Sequence, residues 1–402
     1  MSVQSDDGSD VSRTLFAVTH DGTEPYRSYW SMRRDTPIAP CEMPGANSGS
    51  ERGYAAYRYE HVERVLRDHS TFSSRNIREA LGPAMGRYPL VGLDEPLHGR
   101  SRSLISNAFH PTTVGRWERA TQRVVNGLID RFAGRGSAEL VREFTFRFPL
   151  RVIAEILGLP PRDHARFHRW AIELISFPTR PYEAVRASGE LRAYVARLVD
   201  ERRRSPQDDL LSQLVETRVN GDHLGGEEIF SFVCLLLPAG AQTAHAATGS
   251  LLLGLLLHRD QLDAVLVDRS LLAQAAEETI RWEPPLMTAA RVVLSDVELG
   301  GVVLTAGTQV VANLGSANHD ESRWASPDSF DIFRERRQSI GFGAGIHTCL
   351  GVHLAKMEMR IAVDAVLDRC RGLRLDGTRP LPRVHGEMFR MPTGLPVRFT
   401  PS

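Results

Sequence analysis

The feature that most limits how this chain can fold is the run from Ile229 to His258, which contains no Asp, Glu, Lys or Arg. A helix of that length can cross a lipid bilayer. The middle of the run, however, contains groups that are costly or disruptive against lipid, namely Pro238, Gly240, Gln242, Thr243 and His245. We therefore expect the buried central helix of a large domain rather than a membrane span.

Length, charge and cysteine usage narrow the class of protein. A chain of 402 residues can bury a large core. Lys and Arg together number 49, as do Asp and Glu, so the net charge of zero argues against general nucleic-acid binding. The cysteines form no CxxC pair, which argues against a disulfide framework or a zinc cluster and favours the cytoplasm. The first ten residues are polar and acidic, unlike a signal peptide.

Helical periodicity dominates the rest of the chain. The patterns predict a mainly α-helical fold with a small β region, as one domain over residues 25–402 after a polar tail over residues 1–24. The predicted helices include Gly226–His258, in the uncharged run, and Cys349–Arg371 near the end of the chain.

The segment from Phe342 to Gly351, with the sequence FGAGIHTCLG, is the strongest functional signal. It places Cys349 at the predicted start of a helix, where free N–H groups and the helix dipole favour a thiolate. The preceding glycines allow the backbone to approach a large flat ligand, against which Phe342 can lie. A thiolate in such a loop is what a cysteine-ligated haem iron requires.

Two other interpretations of this segment compete with the haem ligand. A free cysteine is usually a small buried hydrophobic residue, which would be the favoured view of Cys349 without the glycine-rich loop. The glycines also suggest a dinucleotide-binding turn, but Thr348 stands where the third glycine is needed. Such a turn also needs an acidic residue at the end of a second strand, and Asp364 falls instead inside the following helix.

The segment resembles the haem-binding loop of the cytochrome P-450 superfamily. The resemblance extends over essentially the whole chain and implies that fold, with a long central helix over the haem. It also implies that Cys349 is the axial metal ligand of haem b. The loop residues expected to surround that cofactor are Phe342, Gly343, His347 and Gly351.

The middle of the uncharged run resembles the oxygen-activation motif of this family. Ala239, Gly240, Gln242 and Thr243 occupy its positions, and they are the candidate catalytic residues. Pro238 favours local distortion of the helix, which would leave a carbonyl free to hold water or oxygen. The alternative to a catalytic role is that the Thr243 hydroxyl only donates a hydrogen bond to a carbonyl of its own helix. The acid of the family motif is Gln242 here, and an amide cannot ionise.

Two further sets of residues are assigned by the resemblance. Glu278 and Arg281, one helical turn apart, are expected to pair with each other and with Arg334 as a structural unit beside the cysteine loop. His98, Arg102 and Arg291, together with His347, are expected to contact the haem propionates, because guanidinium and imidazole groups pair well with carboxylates.

The expected substrate pocket is mostly apolar and suggests a medium-sized hydrophobic molecule. Its predicted walls are Val91, Phe177, Leu236, Leu286, Met287, Thr288, Ala289, Ala290, Phe389 and Arg390. We expect a monomer without membrane attachment that receives electrons from a separate ferredoxin and ferredoxin reductase. Basic residues on the cysteine side would favour such an acidic donor.

The resemblance implies a monooxygenase that inserts one oxygen atom from O2 into its substrate, by hydroxylation, epoxidation or demethylation. Two alternatives remain open at this point. A peroxide-driven peroxygenase gains weight from Gln242, and a haem protein that binds or senses ligands without turnover would need no proton relay.

Overall fold

The computed structural model describes residues 24–44, 50–177 and 179–401, and α-helices dominate these segments. The helices are α1 (Pro25–Asp35), α2 (Tyr59–Arg67), α3 (Arg75–Met85), α4 (Leu97–Ser106), α5 (Pro111–Val114), α6 (Glu118–Ile129), α7 (Phe148–Ile156), α8 (His164–Ile175), α9 (Pro181–Arg204), α10 (Leu210–Glu216), α11 (Gly226–Leu257), α12 (Arg259–Val267), α13 (Leu272–Trp282), α14 (Leu314–Ala317) and α15 (Val352–Arg369). The predicted mainly helical class is confirmed. The polar tail predicted over residues 1–24 lies, except for Glu24, outside the described residues.

The strands are short and form four small sheets within the described segments. They are β1 (Ile38–Pro44), β2 (Ser50–Ala56), β3 (Phe72–Ser73), β4 (Ser137–Glu139), β5 (Thr288–Val293), β6 (Val297–Leu299), β7 (Val302–Leu304), β8 (Gln309–Asn313), β9 (Arg374–Leu375), β10 (Val384–His385), β11 (Met391–Pro392) and β12 (Pro396–Arg398). The largest sheet has the order β1-β2-β8-β5-β3, in which only β2 and β8 run parallel. The other sheets pair β10 with β11, β6 with β7, and β12 with both β4 and β9.

Helix α11 is the centre of the helical part of the molecule. It packs against α7, α8, α9, α13 and α15. Its first turn carries two acidic residues, and the Glu228 carboxylate accepts a hydrogen bond from the Gly225 N–H at 2.8 Å, which suits the positive end of the helix dipole. The helix is long and apolar enough to cross a membrane, but most of its side chains are buried inside the protein. The buried central helix expected from the sequence is therefore what forms.

The cysteine loop differs from its prediction in one respect. Helix α15 begins at Val352 and not at Cys349, because Thr348 and Gly351 have backbone angles outside the helical region. Cys349 thus lies three positions before the helix, in a loop closed by a hydrogen bond from its own N–H to the Phe342 carbonyl at 2.8 Å.

Two glycines shape this loop in different ways. Gly343 and Gly345 both have positive φ angles, of 75° and 71°, which favour glycine. A Cβ on Gly345 would also lie 2.5 Å from the Leu66 carbonyl oxygen at the end of α2. Gly345 therefore lets the loop dock on α2, whereas a Cβ on Gly343 would meet only ordinary contacts.

Candidate functional site

Cys349 is partly exposed in the loop before α15. Burial raises the pKa of its thiol, and a hydrogen bond from the Gly351 N–H together with the nearby charges of Arg102 and Lys356 lowers it. Since burial is the largest of these effects, the loop alone does not hold a thiolate as the sequence suggested.

The other cysteines are less suited to ligation. Burial raises the pKa of Cys41 to about 11, of Cys234 to about 12 and of Cys370 to about 11. Cys234 and Cys370 are inside the hydrophobic core. Cys349 is the cysteine whose surroundings include a glycine-rich loop and an arginine.

Basic side chains gather on one side of the cysteine loop. We call His98, Arg102, Arg291 and His347 the cationic cluster. The rings of His98 and His347 lie 4.3 Å apart, and an Arg102 Nη atom donates to the Thr348 carbonyl at 2.6 Å. Burial, and after it the charges of Arg291 and Arg102, lower the pKa of His347 to about 2, so this imidazole is neutral and the positive charge of the cluster lies on its arginines.

The cationic cluster has unused hydrogen-bonding capacity. Arg291 is 4 % exposed, and its guanidinium donates within its own strand to the Ala290 carbonyl at 2.8 Å. Burial lowers the pKa of Arg291 to about 10. The buried Nε2 atom of His98 has no hydrogen-bond partner among the described residues. Buried polar groups left in this way indicate a missing anion.

The middle turn of α11 borders open space. Ala239 is exposed and Gln242 and Thr243 are partly exposed, although the turn that follows them in this helix is buried. The Thr243 hydroxyl donates to the Ala239 carbonyl at 2.6 Å, which is the alternative that the sequence left open. The helix is continuous across Pro238. The hydroxyl oxygen of Thr243 can still accept a hydrogen bond from water.

Gly240 has a packing role in this turn. A Cβ on Gly240 would lie 3.0 Å from the Ile153 Cδ1 atom of α7. The glycine therefore allows α11 to approach α7 closely, and its catalytic role stays a prediction.

The predicted structural unit is assembled. Arg281 and Glu278 form a bidentate pair with two contacts of 2.8 Å, and the Arg334 Nε atom lies 3.2 Å from the same carboxylate. Arg281 also donates to the carbonyls of three residues in the loop before the cysteine, namely Asn318, Pro327 and Ser329. Both members of the pair are buried. The unit therefore fastens α13 to the loop that leads to the cysteine.

The predicted pocket residues divide into two groups. Those that are partly exposed, and so free to line a cleft, are Val91, Phe177, Leu236, Leu286, Ala289 and Phe389. Those that are buried away from it are Met287, Thr288, Ala290 and Arg390. Because side chains alternate along β5, Ala289 and Arg291 share one face, and Thr288 and Ala290 point to the other.

Two of these buried residues have specific partners inside the protein. Met287 packs on Gly315 of α14, where a Cβ would lie 2.1 Å from the methionine Cε atom. The Arg390 guanidinium pairs with the buried Glu283 carboxylate at 2.9 Å. Neither side chain is available to a substrate.

One contact of the site was not expected from the sequence. The Ser74 hydroxyl lies 3.1 Å from His347 Nε2, although the two residues are far apart in the chain. Serine before a helix ordinarily signals an N-cap, so no local pattern could have indicated this partner.

Comparison with known proteins agrees with the geometry. The family model for cytochrome P450 matches residues 167–397. The chain is 34 % identical to the cytochrome P450 monooxygenase PikC of Streptomyces venezuelae, over 94 % of this chain and 91 % of that protein. It is 33 % identical to the mycinamicin IV hydroxylase/epoxidase of Micromonospora griseorubida, over 92 % of this chain and 94 % of that protein.

Solved structures give the same result. The ligand-free cytochrome P450 TbtJ1 superposes with a TM-score of 0.86 and 31 % identity, over 95 % of this chain and 100 % of that chain. The testosterone complex of CYP109E1 from Bacillus megaterium superposes with a TM-score of 0.84 and 28 % identity, over 94 % of this chain and 99 % of that chain.

Proposed function

The chain belongs to the cytochrome P450 family and is a monooxygenase that uses haem b, and on that premise we propose that Cys349 is the ligand of its iron. The observation that carries this proposal is the cationic cluster beside the cysteine loop, where the described residues supply no hydrogen-bonding carboxylate to the buried Nε2 atom of His98 or to the buried Arg291 guanidinium. The two propionates of a haem have the charge that these groups require.

The loop itself fits the same cofactor. A Cβ on Gly351 would meet open space, so this side of the loop is clear for a flat ligand. Phe342 is partly exposed and can lie against that ligand. When bound, haem b supplies the oxidising chemistry, in which a thiolate ligand favours O–O bond cleavage.

The residues of α11 hold water and move protons in this proposal. Thr243 keeps its hydroxyl fixed by donating to the Ala239 carbonyl, and its oxygen can accept from an ordered water. Gln242 passes hydrogen bonds on and does not ionise. This route differs from one that uses a carboxylic acid, and it is the observation that favours peroxide-driven turnover as a second candidate.

The substrate we propose is a medium-sized, mostly hydrophobic molecule. The partly exposed wall residues are apolar, and removal of Thr288 and Arg390 from the predicted wall makes it more so. Relatives named for their substrates include the mycinamicin hydroxylase, a methyl-branched lipid omega-hydroxylase of Mycobacterium tuberculosis and a steroid C26-monooxygenase of Rhodococcus jostii. A polyketide, lipid or steroid skeleton suits such a wall.

The electron donors we propose are a ferredoxin and its reductase, acting on a monomer in the cytoplasm. Three exposed arginines have no ion-pair partner among the described residues, namely Arg116, Arg119 and Arg336, and the family resemblance places them on the cysteine side. They would attract an acidic donor.

Two measurements test the function. A panel of hydrophobic compounds is added to the purified protein, and a shift of the iron from low to high spin identifies ligands of the pocket. Product is then measured with NADH and a surrogate ferredoxin pair, and separately with hydrogen peroxide alone. Product only with peroxide would favour the peroxygenase, and no product under either condition with any bound ligand would contradict an enzyme.

A further inference from the structure

A serine at the start of α3 contacts the cationic cluster instead of capping its own helix. Ser74 is the N-cap residue of α3, yet its side chain makes no capping hydrogen bond. An N-cap serine ordinarily accepts a hydrogen bond from the first turn of the helix. Its hydroxyl lies instead 3.1 Å from the Nε2 atom of His347. The stabilisation that a cap provides is therefore given up for this contact.

The turn that carries this serine is held from two sides. Ser74 is 1 % exposed, and its N–H donates to the Asp94 carboxylate at 2.9 Å. The neighbouring Ser73 hydroxyl donates to the same carboxylate and accepts from the Arg75 N–H at 3.0 Å. Ser73 also pairs with Val292 of β5, next to Arg291. Asp94 thus fixes the serine against the strand that carries another member of the cationic cluster.

We propose that Ser74, held by Asp94, is a positioning residue that fixes the orientation and tautomer of His347 toward the haem propionate. This inference rests on the proposed haem site. Nε2 of His347 is taken by Ser74, so Nδ1 is the nitrogen left for the propionate, and none of the described residues bonds it. An anion requires an N–H donor, so Nδ1 carries the proton and the Ser74 hydroxyl donates to the bare Nε2.

The contact joins the cofactor edge to the start of α3, and Val91 of the predicted wall follows that helix in the chain. Removal of a residue that orients a metal ligand commonly costs about 10–100-fold in affinity, and we expect an effect of that order for a residue that orients a propionate partner. The haem should therefore be held less firmly when the Ser74 hydroxyl is lost.

The experiment measures haem transfer from the holoprotein to excess apomyoglobin. Ser74→Ala should release haem about tenfold faster than the unaltered protein, and Ser74→Thr, which keeps the hydroxyl, should stay near the original rate. Asp94→Ala frees the turn and should behave like Ser74→Ala. Ser103→Ala is the matched control, because the Ser103 hydroxyl is exposed and bonds only a carbonyl of its own helix.

A double-mutant cycle with His347→Phe separates positioning from a general structural role. If Ser74 acts through His347, Ser74→Ala should have no further effect in the His347→Phe background. Equal acceleration in both backgrounds, or an unchanged rate in Ser74→Ala, would overturn the inference. If His347→Phe retains no haem, resonance Raman spectra of the single variants distinguish positioning from a structural role. The propionate bending band should then shift in Ser74→Ala and not in Ser103→Ala. Unaltered protein that binds no haem would instead contradict the proposed function.

Discussion

Arg390 and Glu283 form a buried ion pair, with the Arg390 Nε atom 2.9 Å from Glu283 Oε2. The Tyr26 hydroxyl donates to the same carboxylate at 2.8 Å, and both charged side chains are buried. The pair fastens the β10–β11 hairpin to the end of α13 and to the N-terminal helix. A residue that the sequence suggested for the pocket thus holds three distant segments together.

Loss of Arg390 should destabilise the protein strongly. Arg390→Ala leaves the Glu283 carboxylate buried without its partner, which should lower the free energy of unfolding by about 3–5 kcal/mol. Urea denaturation followed by circular dichroism measures this change. The matched control is Arg383→Ala in the same hairpin, since Arg383 is exposed and should change stability by less than about 0.5 kcal/mol. Equal stability of the two variants would show that the pair is solvated.

Cys349 should account for the absorption spectrum. Cys349→Ala should abolish the long-wavelength Soret band of the reduced, carbonyl-bound protein, because that band reports thiolate ligation. Cys41→Ala and Cys370→Ala should keep it, since burial raises the pKa of both thiols to about 11. Loss of the band in one of these controls with its survival in Cys349→Ala would move the ligand to another cysteine.

Local patterns predicted the parts of the molecule that depend on neighbouring residues. The uncharged run identified α11, since apolar residues on every face of a helix require burial. The loop before Cys349 was recognised from residues close in sequence. The start of α15 was placed three residues too early, because Thr348 and Gly351 have backbone angles outside the helical region.

Contacts between distant segments could not be predicted. An arginine that lines a pocket and one that pairs with a buried carboxylate look the same in sequence, as Arg390 shows. The face of β5 that meets the cleft depends on pairing with β8, so Thr288 could not be assigned to the opposite side. The contact of Ser74 with His347 likewise depends on the folded chain.

A buried glutamate should make stability depend on pH. Burial raises the pKa of Glu358, on α15, to about 8, whereas an unfolded glutamate titrates near 4.3. The folded protein therefore binds the extra proton between these values, and this contribution to stability is lost as the pH rises from about 4.3 through 8. Glu358→Gln keeps the shape without the charge, so its stability relative to the original protein should rise from pH 5 to pH 8.

The measurement is urea unfolding of both proteins at several pH values. All other titrating groups are shared, so the difference between the two free energies isolates Glu358. Parallel stability curves across this range would mean that the carboxyl is ionised in the folded protein by partners that offset its burial.

Thr243 should control how efficiently oxygen chemistry is coupled to product. The hydroxyl is fixed by its hydrogen bond to the Ala239 carbonyl, and removing it in Thr243→Ala takes away the acceptor for an ordered water. We expect NADH to be consumed while peroxide accumulates in place of product. The measurement is product formed per NADH with a surrogate ferredoxin pair.

Gln242 should have a smaller effect than Thr243, because water can fill the space that a shortened side chain leaves. Gln242→Ala should therefore lower coupling only modestly. Gln242→Glu introduces a group that can ionise, and since Gln242 is partly exposed it should raise product formed per NADH if proton delivery limits turnover. The pair of variants has opposite expected signs at one position, so a general packing defect cannot produce both. Unchanged coupling in Thr243→Ala, Gln242→Ala and Gln242→Glu alike would mean that protons arrive by a path outside the middle turn of α11, such as hydroxyl groups of the substrate.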